Sequence, residues 1–195
     1  MRLLTMDRPG MGASDPDIGR TLASTVDDYR EFVSVALGDA DARVPVVANS
    51  QGGVFGLGAA AAGWASNLVL VSPADEVAHP AIRAMLQPEA TGLADLAQQD
   101  PTAAAEMLSG FDAEAMEQMV LNSSGPEDRA WNLPFDRIRV PASVLFGAKD
   151  LTHSPDHGEV LASRIPGARR TVFEDAGGAL LWTHARSVLE AALDR

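Results

Sequence analysis

The sequence predicts an α/β fold with a mostly parallel sheet of about five strands. Short apolar runs, typical of strands buried on both faces, alternate with longer segments in which apolar residues recur at helical spacing. The alternation stops between residues 79 and 136, where acidic helical segments follow one another without a strand signal. We therefore predict a sheet core formed by residues 1–78 and 137–195, with a helical cap inserted at residues 79–136.

The first half of the core contains three predicted strands and two predicted helices. The first strand, at residues 2–6, leads into a turn rich in proline and glycine. Val26, Tyr29 and Val33 recur at three- and four-residue spacing ahead of Gly38, which is typical of an amphipathic helix that ends before a glycine. In chain order we predict a strand at 2–6, a helix at 25–37, a strand at 44–49, a helix at 51–64 and a strand at 67–72.

The cap and the second half of the core are predicted in the same way. Within the cap, residues 103–108 and 113–121 have a helical pattern. After the cap, strands and helices alternate again, as right-handed crossovers between parallel strands require. The predicted elements are a strand at 142–147, a helix at 155–164, a strand at 169–174 and a final helix at 179–193.

Composition excludes several classes of function. The 195 residues fit one domain, and their net charge of −12 repels phosphate backbones and anionic lipids, so we expect neither nucleic acid nor a membrane as a partner. There is no cysteine and no apolar run of about 18 residues, the length a membrane span needs. The histidines lack metal-ligand spacing and no phosphate-binding motif is present, so we predict no metal and no cofactor. The expected location is the cytoplasm.

Residues 44–58 form the most informative segment. An apolar strand ends at Ser50 and is followed by the glycine-rich start of a helix. A serine at such a sharp strand-to-helix turn is held in strained backbone geometry with its hydroxyl exposed, and small neighbours such as Ala48, Gly52 and Gly53 avoid clashes there. We therefore predict that Ser50 is a nucleophile. The alternative is a serine that only caps the following helix.

Three segments of the chain resemble motifs of the α/β-hydrolase superfamily and occur in the order of that family. Residues 7–15, D-R-P-G-M-G-A-S-D, resemble the D-x-P-G-x-G-x-S loop after the family's fourth strand. Residues 48–52, A-N-S-Q-G, resemble the G-x-S-x-G nucleophile elbow, with alanine in place of the first glycine. Residues 147–150, G-A-K-D, resemble the G-x-x-D segment after the seventh strand. The resemblance covers nearly the whole chain and implies an α/β-hydrolase fold.

The resemblance also implies an activity. It implies a cofactor-free serine hydrolase that acts on a small apolar ester or related acyl bond of a small-molecule substrate. Ser50 would be the nucleophile, Asp150 the acid of the triad, and the backbone N–H of Gln51 an oxyanion donor. Asp75 is a rival for the acid, because some members of the superfamily carry theirs after the sixth strand.

One departure from the family concerns the general base. Gly178 stands where the family has its histidine, and a serine hydroxyl is a poor nucleophile unless a base removes its proton. Turnover is therefore expected to be impaired unless another histidine takes this role. His153, three residues after Asp150 on a loop that faces the site in the family, is the candidate substitute base. His184, six positions past Gly178 on a predicted helix, is expected to be a surface residue that points away from Ser50.

A second departure is that the chain begins at what resembles the family's fourth strand, as in an N-terminally truncated α/β-hydrolase. The absent strands would carry the second oxyanion donor. A five-stranded sheet covered on one face by the final helix alone is expected to expose an apolar patch and to be prone to form a homodimer or aggregate. Two other interpretations stay open: a hydrolase-like protein that binds a ligand or a protein without turnover, and a truncated form of a complete hydrolase.

Overall fold

The structure is a computed structural model that describes residues 1–9, 11–15, 17, 21–100, 103 and 131–194. The chain divides into two compact units, one formed by Met1–Ala42 and Leu86–Asn132 and the other by Arg43–Met85 and Leu133–Arg195. The predicted boundaries of the core and the cap stay a prediction. The predicted cap helix at 113–121, and all of the one at 103–108 except residue 103, lie outside the described residues.

The described residues form seven α-helices, one 3₁₀ turn and four strands. Within these ranges, no helix combines the length and the apolar character that crossing a membrane requires. The helices are α1 (Leu22–Leu37), α2 (Gly52–Ala61), α3 (Pro80–Arg83), α4 (Pro88–Gln99), α5 (Glu159–Arg164), α6 (Leu180–Thr183) and α7 (Ala185–Leu193), the 3₁₀ turn is Phe135–Arg137, and the strands are β1 (Val44–Asn49), β2 (Ala65–Val71), β3 (Ala142–Gly147) and β4 (Arg169–Phe173).

Helix α1 belongs to the first unit and has a defined cap at each end. The N–H of Ser24 donates to Thr21 Oγ1 (3.1 Å) and the N–H of Thr21 donates to Ser24 Oγ (2.8 Å), which is a capping box. Val26 and Val33 are buried on one side of the helix. Gly38 ends it with a φ of 68°, in the left-handed region that favours glycine. The predicted amphipathic helix is therefore confirmed, including its glycine stop.

The second unit contains a sheet of four parallel strands in the order β1-β2-β3-β4. Its register aligns Val47 with Val69, Val69 with Ser143, and Ser143 with Arg169. Strand β3 is buried along its whole length, whereas β4 is exposed at its start. Because all four strands are parallel, the residues that follow their carboxyl ends share one edge of the sheet.

The sheet has four strands instead of about five, because residues 2–6 form no strand. Leu3 is 80% exposed, and Arg2 and Thr5 are exposed as well. An extended segment that buries so little apolar surface gains too little to offset the entropy of ordering its backbone. The prediction of a strand at 2–6 is therefore wrong, whereas the parallel α/β architecture is confirmed.

Helices cover both faces of the sheet. On one face, Val69, Val71 and Leu145 form a buried cluster with Leu180 of α6 and Val188 of α7. On the other face, α2 packs against β1 and β2. This division follows from the topology, because strands added in one direction by right-handed crossovers put their connecting helices on the same face.

The predicted final helix, at 179–193, is two helices. Helix α6 ends at Thr183 and α7 begins at Ala185, with His184 between them at φ −123° and ψ 32°. The side chain of His184 contacts Thr183 Oγ1 (3.0 Å) and Asp175 Oδ1 (3.2 Å), and its ring lies 4.9 Å from that of Phe173. These contacts lie at the break between α6 and α7, and α7 packs against β1 and β2.

Candidate active site

Ser50 occupies the sharp turn between β1 and α2. Its φ is 53°, a left-handed conformation that residues other than glycine seldom adopt. Backbone hydrogen bonds fix the turn: the Ser50 N–H donates to the carbonyl of Val71 (3.1 Å), and the Ser50 carbonyl accepts from the N–H groups of Gly53 (3.0 Å) and Ala74 (2.9 Å). Strained geometry that is held in this way is typical of a nucleophile at a strand-to-helix turn.

Small residues let α2 approach the strands next to Ser50. A Cβ atom on Gly53 would lie 2.8 Å from Pro73 Cβ, and one on Gly56 would lie 2.7 Å from Ala48 Cβ. Both distances are shorter than any real side chain tolerates without a shift of its neighbours. Ala48, which replaces the first glycine of the family motif, is therefore accommodated because Gly56 faces it.

A continuous chain of contacts runs from Ser50 through His153 to Asp150. Ser50 Oγ is 3.0 Å from His153 Nε2, and His153 Nδ1 is 2.8 Å from Asp150 Oδ2 and 3.0 Å from Asp150 Oδ1. With the imidazole proton on Nδ1, the ring donates to Asp150 and Nε2 accepts the hydroxyl proton of Ser50. The structure thus brings together the three side chains that the sequence nominated as nucleophile, acid and substitute base, and their roles stay predictions.

The loop after β3 places the histidine. Asp150 Oδ1 accepts hydrogen bonds from both the N–H and the Oγ1–H of Thr152, each at 3.0 Å. This local turn reverses the chain, so that His153 points back at the carboxylate that stabilises the turn. The hydroxyl of Thr152 also lies 3.1 Å from His153 Nδ1.

Asp150 is buried, yet its surroundings favour the charged form. Burial raises the pKa of its carboxyl, but hydrogen bonds from Thr152 and His153 outweigh burial and bring the pKa below its ordinary value. Asp150 is therefore ionised at neutral pH and favours the Nδ1–H form of the histidine. Ser72 follows β2 directly and is itself buried, with a φ of 40°. Sequence reasoning missed Thr152, although it lies in the loop that follows the carboxyl end of β3.

Two further residues named by the sequence are Gln51, next to Ser50 in the chain, and Gly178, next to Asp150 and His153 in space. Gln51 is the residue after Ser50 and immediately precedes α2, so its backbone N–H lies near the positive end of the helix dipole. Gly178 is half-buried in the loop between β4 and α6. A Cβ atom at that position would lie 3.4 Å from His153 Cε1, so the ring of His153 occupies space beside the place where the family's histidine is expected.

Asp75, the rival acid, contacts a different partner. Its Oδ2 accepts a hydrogen bond from Ser154 Oγ (2.8 Å), and its Oδ1 accepts one from the N–H of Glu76 (2.8 Å). Burial raises the pKa of Asp75 above its ordinary value, and hydrogen bonding offsets this in part. Asp150, and not Asp75, is therefore the carboxylate in contact with His153. Asp75 instead braces the loop one residue beyond the histidine.

Two other histidines, His184 and His157, contact residues other than Ser50. His184 is partly exposed, lies against Phe173 and pairs with Asp175, so its side chain contacts neither Ser50 nor Asp150. His157 has a φ of 51° and its ring lies 6.0 Å from that of Phe146. Among the described residues, no group of three or more histidine or acidic side chains is arranged to hold a metal ion.

Comparison with known proteins identifies the family. The family model described as the alpha/beta hydrolase family matches residues 2–194. The chain is similar to the solved structure of the enol-lactonase from Burkholderia xenovorans LB400, with 25% identity, 96% of this chain and 78% of that chain covered, and a TM-score of 0.61. It is also similar to Est816, an N-acyl homoserine lactone degrading enzyme, with 25% identity, 94% and 78% coverage, and a TM-score of 0.63.

A third structure supports the fold alone. The esterase EaEST from Exiguobacterium antarcticum shares 22% identity over 94% of this chain and 77% of that chain, with a TM-score of 0.57. The search of curated proteins returned no match. The family model matches residues 2–194, and the parallel sheet with a strand-to-helix turn at Ser50 points to the same fold. The chain therefore belongs to the alpha/beta hydrolase family, and the predicted α/β-hydrolase fold is confirmed.

Proposed function

We propose that this chain is a serine hydrolase that cleaves a small apolar ester or related acyl bond without a cofactor. One observation carries the proposal: Ser50 Oγ is 3.0 Å from His153 Nε2, and His153 Nδ1 is 2.8 Å from Asp150 Oδ2. A hydroxyl next to a neutral imidazole that is oriented by a carboxylate has what a serine nucleophile needs. Membership of the alpha/beta hydrolase family supports the reaction class.

In this mechanism His153 acts first as a base and then as an acid. Ser50 Oγ attacks the acyl carbon while its proton passes to His153 Nε2, which gives a tetrahedral intermediate. When the bond to the leaving group breaks, His153 donates that proton to the leaving oxygen and an acyl-Ser50 ester remains. A water molecule then attacks the ester and gives a proton to His153, which returns it to Ser50 Oγ as the acyl–oxygen bond breaks, so that the acid and the free serine are released. Asp150 stays ionised and stabilises the imidazolium in both steps.

The oxyanion of the tetrahedral intermediate needs hydrogen-bond donors. We propose the backbone N–H of Gln51 as one of them, because it follows Ser50 directly and lies at the N-terminus of the ten-residue helix α2. Loss of one such donor costs about 10² to 10³ in turnover in studied enzymes, so a site with a single donor is expected to be slow.

Two similar structures guide the choice of substrates. One is an enol-lactonase and the other is an N-acyl homoserine lactone degrading enzyme. Lactones and open-chain esters share the bond that an acyl-serine mechanism breaks. We therefore propose small esters and lactones as the substrate class to test, with p-nitrophenyl acetate and an unsubstituted five-membered lactone as the first probes.

A fluorophosphonate probe tests the nucleophile directly, because it labels only an activated serine. We expect labelling and ester hydrolysis by the wild-type chain, and neither by Ser50→Ala. Ser163→Ala is the matched control, since Ser163 is exposed on α5 and its hydroxyl donates to the carbonyl of Val160 (2.7 Å). Labelling that persists in Ser50→Ala would overturn the proposal.

The same probe tests the base. His153→Ala should slow labelling by about 10² to 10⁴, the usual contribution of a positioned general base. His184→Ala is the control, because that histidine contacts Asp175 and Thr183 instead of Ser50. An unlabelled wild-type chain would favour the alternative of a hydrolase-like protein that binds a ligand or a protein. The predicted homodimer and cytoplasmic location stay predictions.

A further inference from the structure

Gly178 lies against the side chains that hold the histidine of the site. A Cβ atom built on it would be 3.2 Å from Thr152 Oγ1, 3.3 Å from Asp150 Oδ1 and 3.4 Å from His153 Cε1. The first two distances are shorter than ordinary van der Waals contact, which begins at 3.4 Å, and the third lies at that limit. A side chain at position 178 would therefore crowd Thr152 Oγ1 and Asp150 Oδ1 and would lie in direct contact with the ring of His153.

These three groups cannot move apart freely, because they are hydrogen-bonded to one another. Thr152 Oγ1 and His153 Nδ1 each lie 3.0 Å from Asp150 Oδ1, and they are 3.1 Å from each other. A shift that relieves a contact with residue 178 would lengthen at least one of these bonds. Such a shift would also tilt the ring whose far nitrogen faces Ser50 at 3.0 Å.

The crowding belongs to this position and not to the loop as a whole. A Cβ atom on the neighbouring Gly177 would first meet Lys149 O at 3.5 Å, which is an ordinary contact. Neither glycine has a φ in the left-handed region, so backbone strain does not require glycine at either position. The two adjacent glycines therefore form a matched pair that differs in what a side chain would meet.

We propose that Gly178 is a positioning residue: its missing side chain provides the space in which His153, carried by the loop after β3, reaches both Asp150 and Ser50. The inference rests on the proposed function. It further implies that His153 and a side chain at position 178 are mutually exclusive occupants of the space beside Asp150. An imidazole attached at position 178 would start next to that carboxylate and would take over the role once His153 is removed.

The first experiment compares Gly178→Ala with Gly177→Ala. We expect Gly178→Ala to slow fluorophosphonate labelling roughly tenfold or more and to shift the pH profile of labelling, because a displaced ring loses alignment with Ser50. Gly177→Ala should label within about twofold of wild type, since its methyl group makes an ordinary contact. Equal labelling rates and equal pH profiles in the two variants would overturn the inference. The proton NMR signal of His153 Nδ1–H gives the same comparison independently of activity.

The second experiment moves the histidine. The double variant His153→Ala with Gly178→His should label at least about tenfold faster than His153→Ala alone. His153→Ala with Gly177→His should label no faster than His153→Ala alone. No recovery in a folded Gly178→His double variant would overturn the exchange. If that variant does not fold, the alanine pair alone decides. Labelling that does not depend on Ser50 would instead overturn the proposed function, so the two failures are distinguishable.

Discussion

At the scale of single residues, Asp150 has two tasks that a substitution can separate. Its Oδ1 accepts hydrogen bonds from Thr152 and so forms the turn, and both of its oxygens face His153 Nδ1. The first task needs only an acceptor oxygen, whereas the second also needs negative charge. The lowered pKa of Asp150 follows from the same hydrogen bonds.

Asp150→Asn should therefore affect activity far more than stability. The amide oxygen can still accept from Thr152, but a neutral group no longer stabilises the imidazolium of His153, so we expect labelling to fall roughly 10²-fold or more. Asp150→Ala should lose both activity and thermal stability, because it also removes the acceptor of the turn. Labelling rates and thermal unfolding midpoints measure the two effects. An asparagine variant as active as wild type would contradict the assigned role.

The pKa of Asp75 predicts how stability depends on pH. Burial raises this pKa, the neighbouring Asp156 adds to the rise, and Ser154 and Arg164 oppose it. A raised native pKa means that the folded chain holds the proton more tightly than the unfolded chain. The stabilisation is therefore complete below the unfolded pKa and is lost as the pH rises through the native value.

Asp75→Asn removes that dependence, and its amide can still hydrogen-bond with Ser154 Oγ and accept from the N–H of Glu76. We expect the thermal midpoint of the variant, relative to wild type, to be higher at about pH 8 than at about pH 4, because only wild type then carries a buried charge. Thermal unfolding at the two pH values tests this. A difference between variant and wild type that does not change with pH would contradict the assignment.

At the scale of elements, the close packing of α2 on the strands holds the turn at Ser50. A methyl group on Gly56 would lie 2.7 Å from Ala48 Cβ and 3.2 Å from Leu68 Cδ1, whereas one on Gly52 would meet nothing within 4 Å. The two glycines belong to the same helix, but Gly52 is its first residue and has open space, whereas Gly56 lies inside the helix against the strands. Alanine at the two positions therefore compares an open site with a packed one.

Gly56→Ala should destabilise the chain by about 1–3 kcal/mol through overpacking. Gly52→Ala should be neutral or stabilising by up to about 1 kcal/mol, because alanine favours helix and has open space there. Urea denaturation of both variants measures the difference. A Gly56→Ala variant as stable as Gly52→Ala would show that α2 can move away from β1 at little cost.

The elements also show what the sequence could and could not predict. Strand β3 was predicted with its observed limits because burial on both faces leaves a continuous apolar run. The run at residues 2–6 has the same local pattern but stays largely exposed, and pattern alone does not report burial. Ser50 and Asp150 were found because each follows a strand within a spaced motif. The contribution of Thr152 depends on a loop path that no periodic pattern encodes.

At the scale of the whole molecule, Asn67 ties the middle of the chain to its end. This buried side chain on β2 donates from Nδ2 to the carbonyls of Ala191 (2.9 Å), Ala192 (3.2 Å) and Asp194 (2.9 Å). These carbonyls lie at the C-terminus of α7, where helical partners run out. The amide therefore caps α7 and fixes it to the sheet.

Asn67→Ala should cost about 1–3 kcal/mol of unfolding free energy, because it leaves buried carbonyls without their donor. Ser66→Ala, on the adjacent residue of the same strand, is the control and is expected to change stability by less than about 0.5 kcal/mol. Chemical denaturation measures both. If Asn67→Ala lowers the unfolding free energy no more than Ser66→Ala does, water must replace the amide as the donor to the carbonyls of α7.

The last prediction concerns association of whole chains. Leu189 and Leu193 on α7 are 38% and 57% exposed, and they line an open groove with Leu145 and Phe173 on the β3–β4 side of the sheet. Apolar surface of this kind favours self-association, whereas the net charge of −12 opposes it. We therefore expect the predicted homodimer to strengthen with salt, which screens the charge.

Light scattering at low and high ionic strength tests this directly. Leu189→Lys with Leu193→Lys should shift the chain towards monomer at high salt, because it places charge in the apolar groove. Leu151→Lys is the control, since Leu151 is 94% exposed but lies in the loop after β3, away from the groove. A wild-type chain that is monodisperse and monomeric at both ionic strengths would contradict the prediction. It would mean that charge repulsion and the packing of α7 are enough to keep the sheet face from associating.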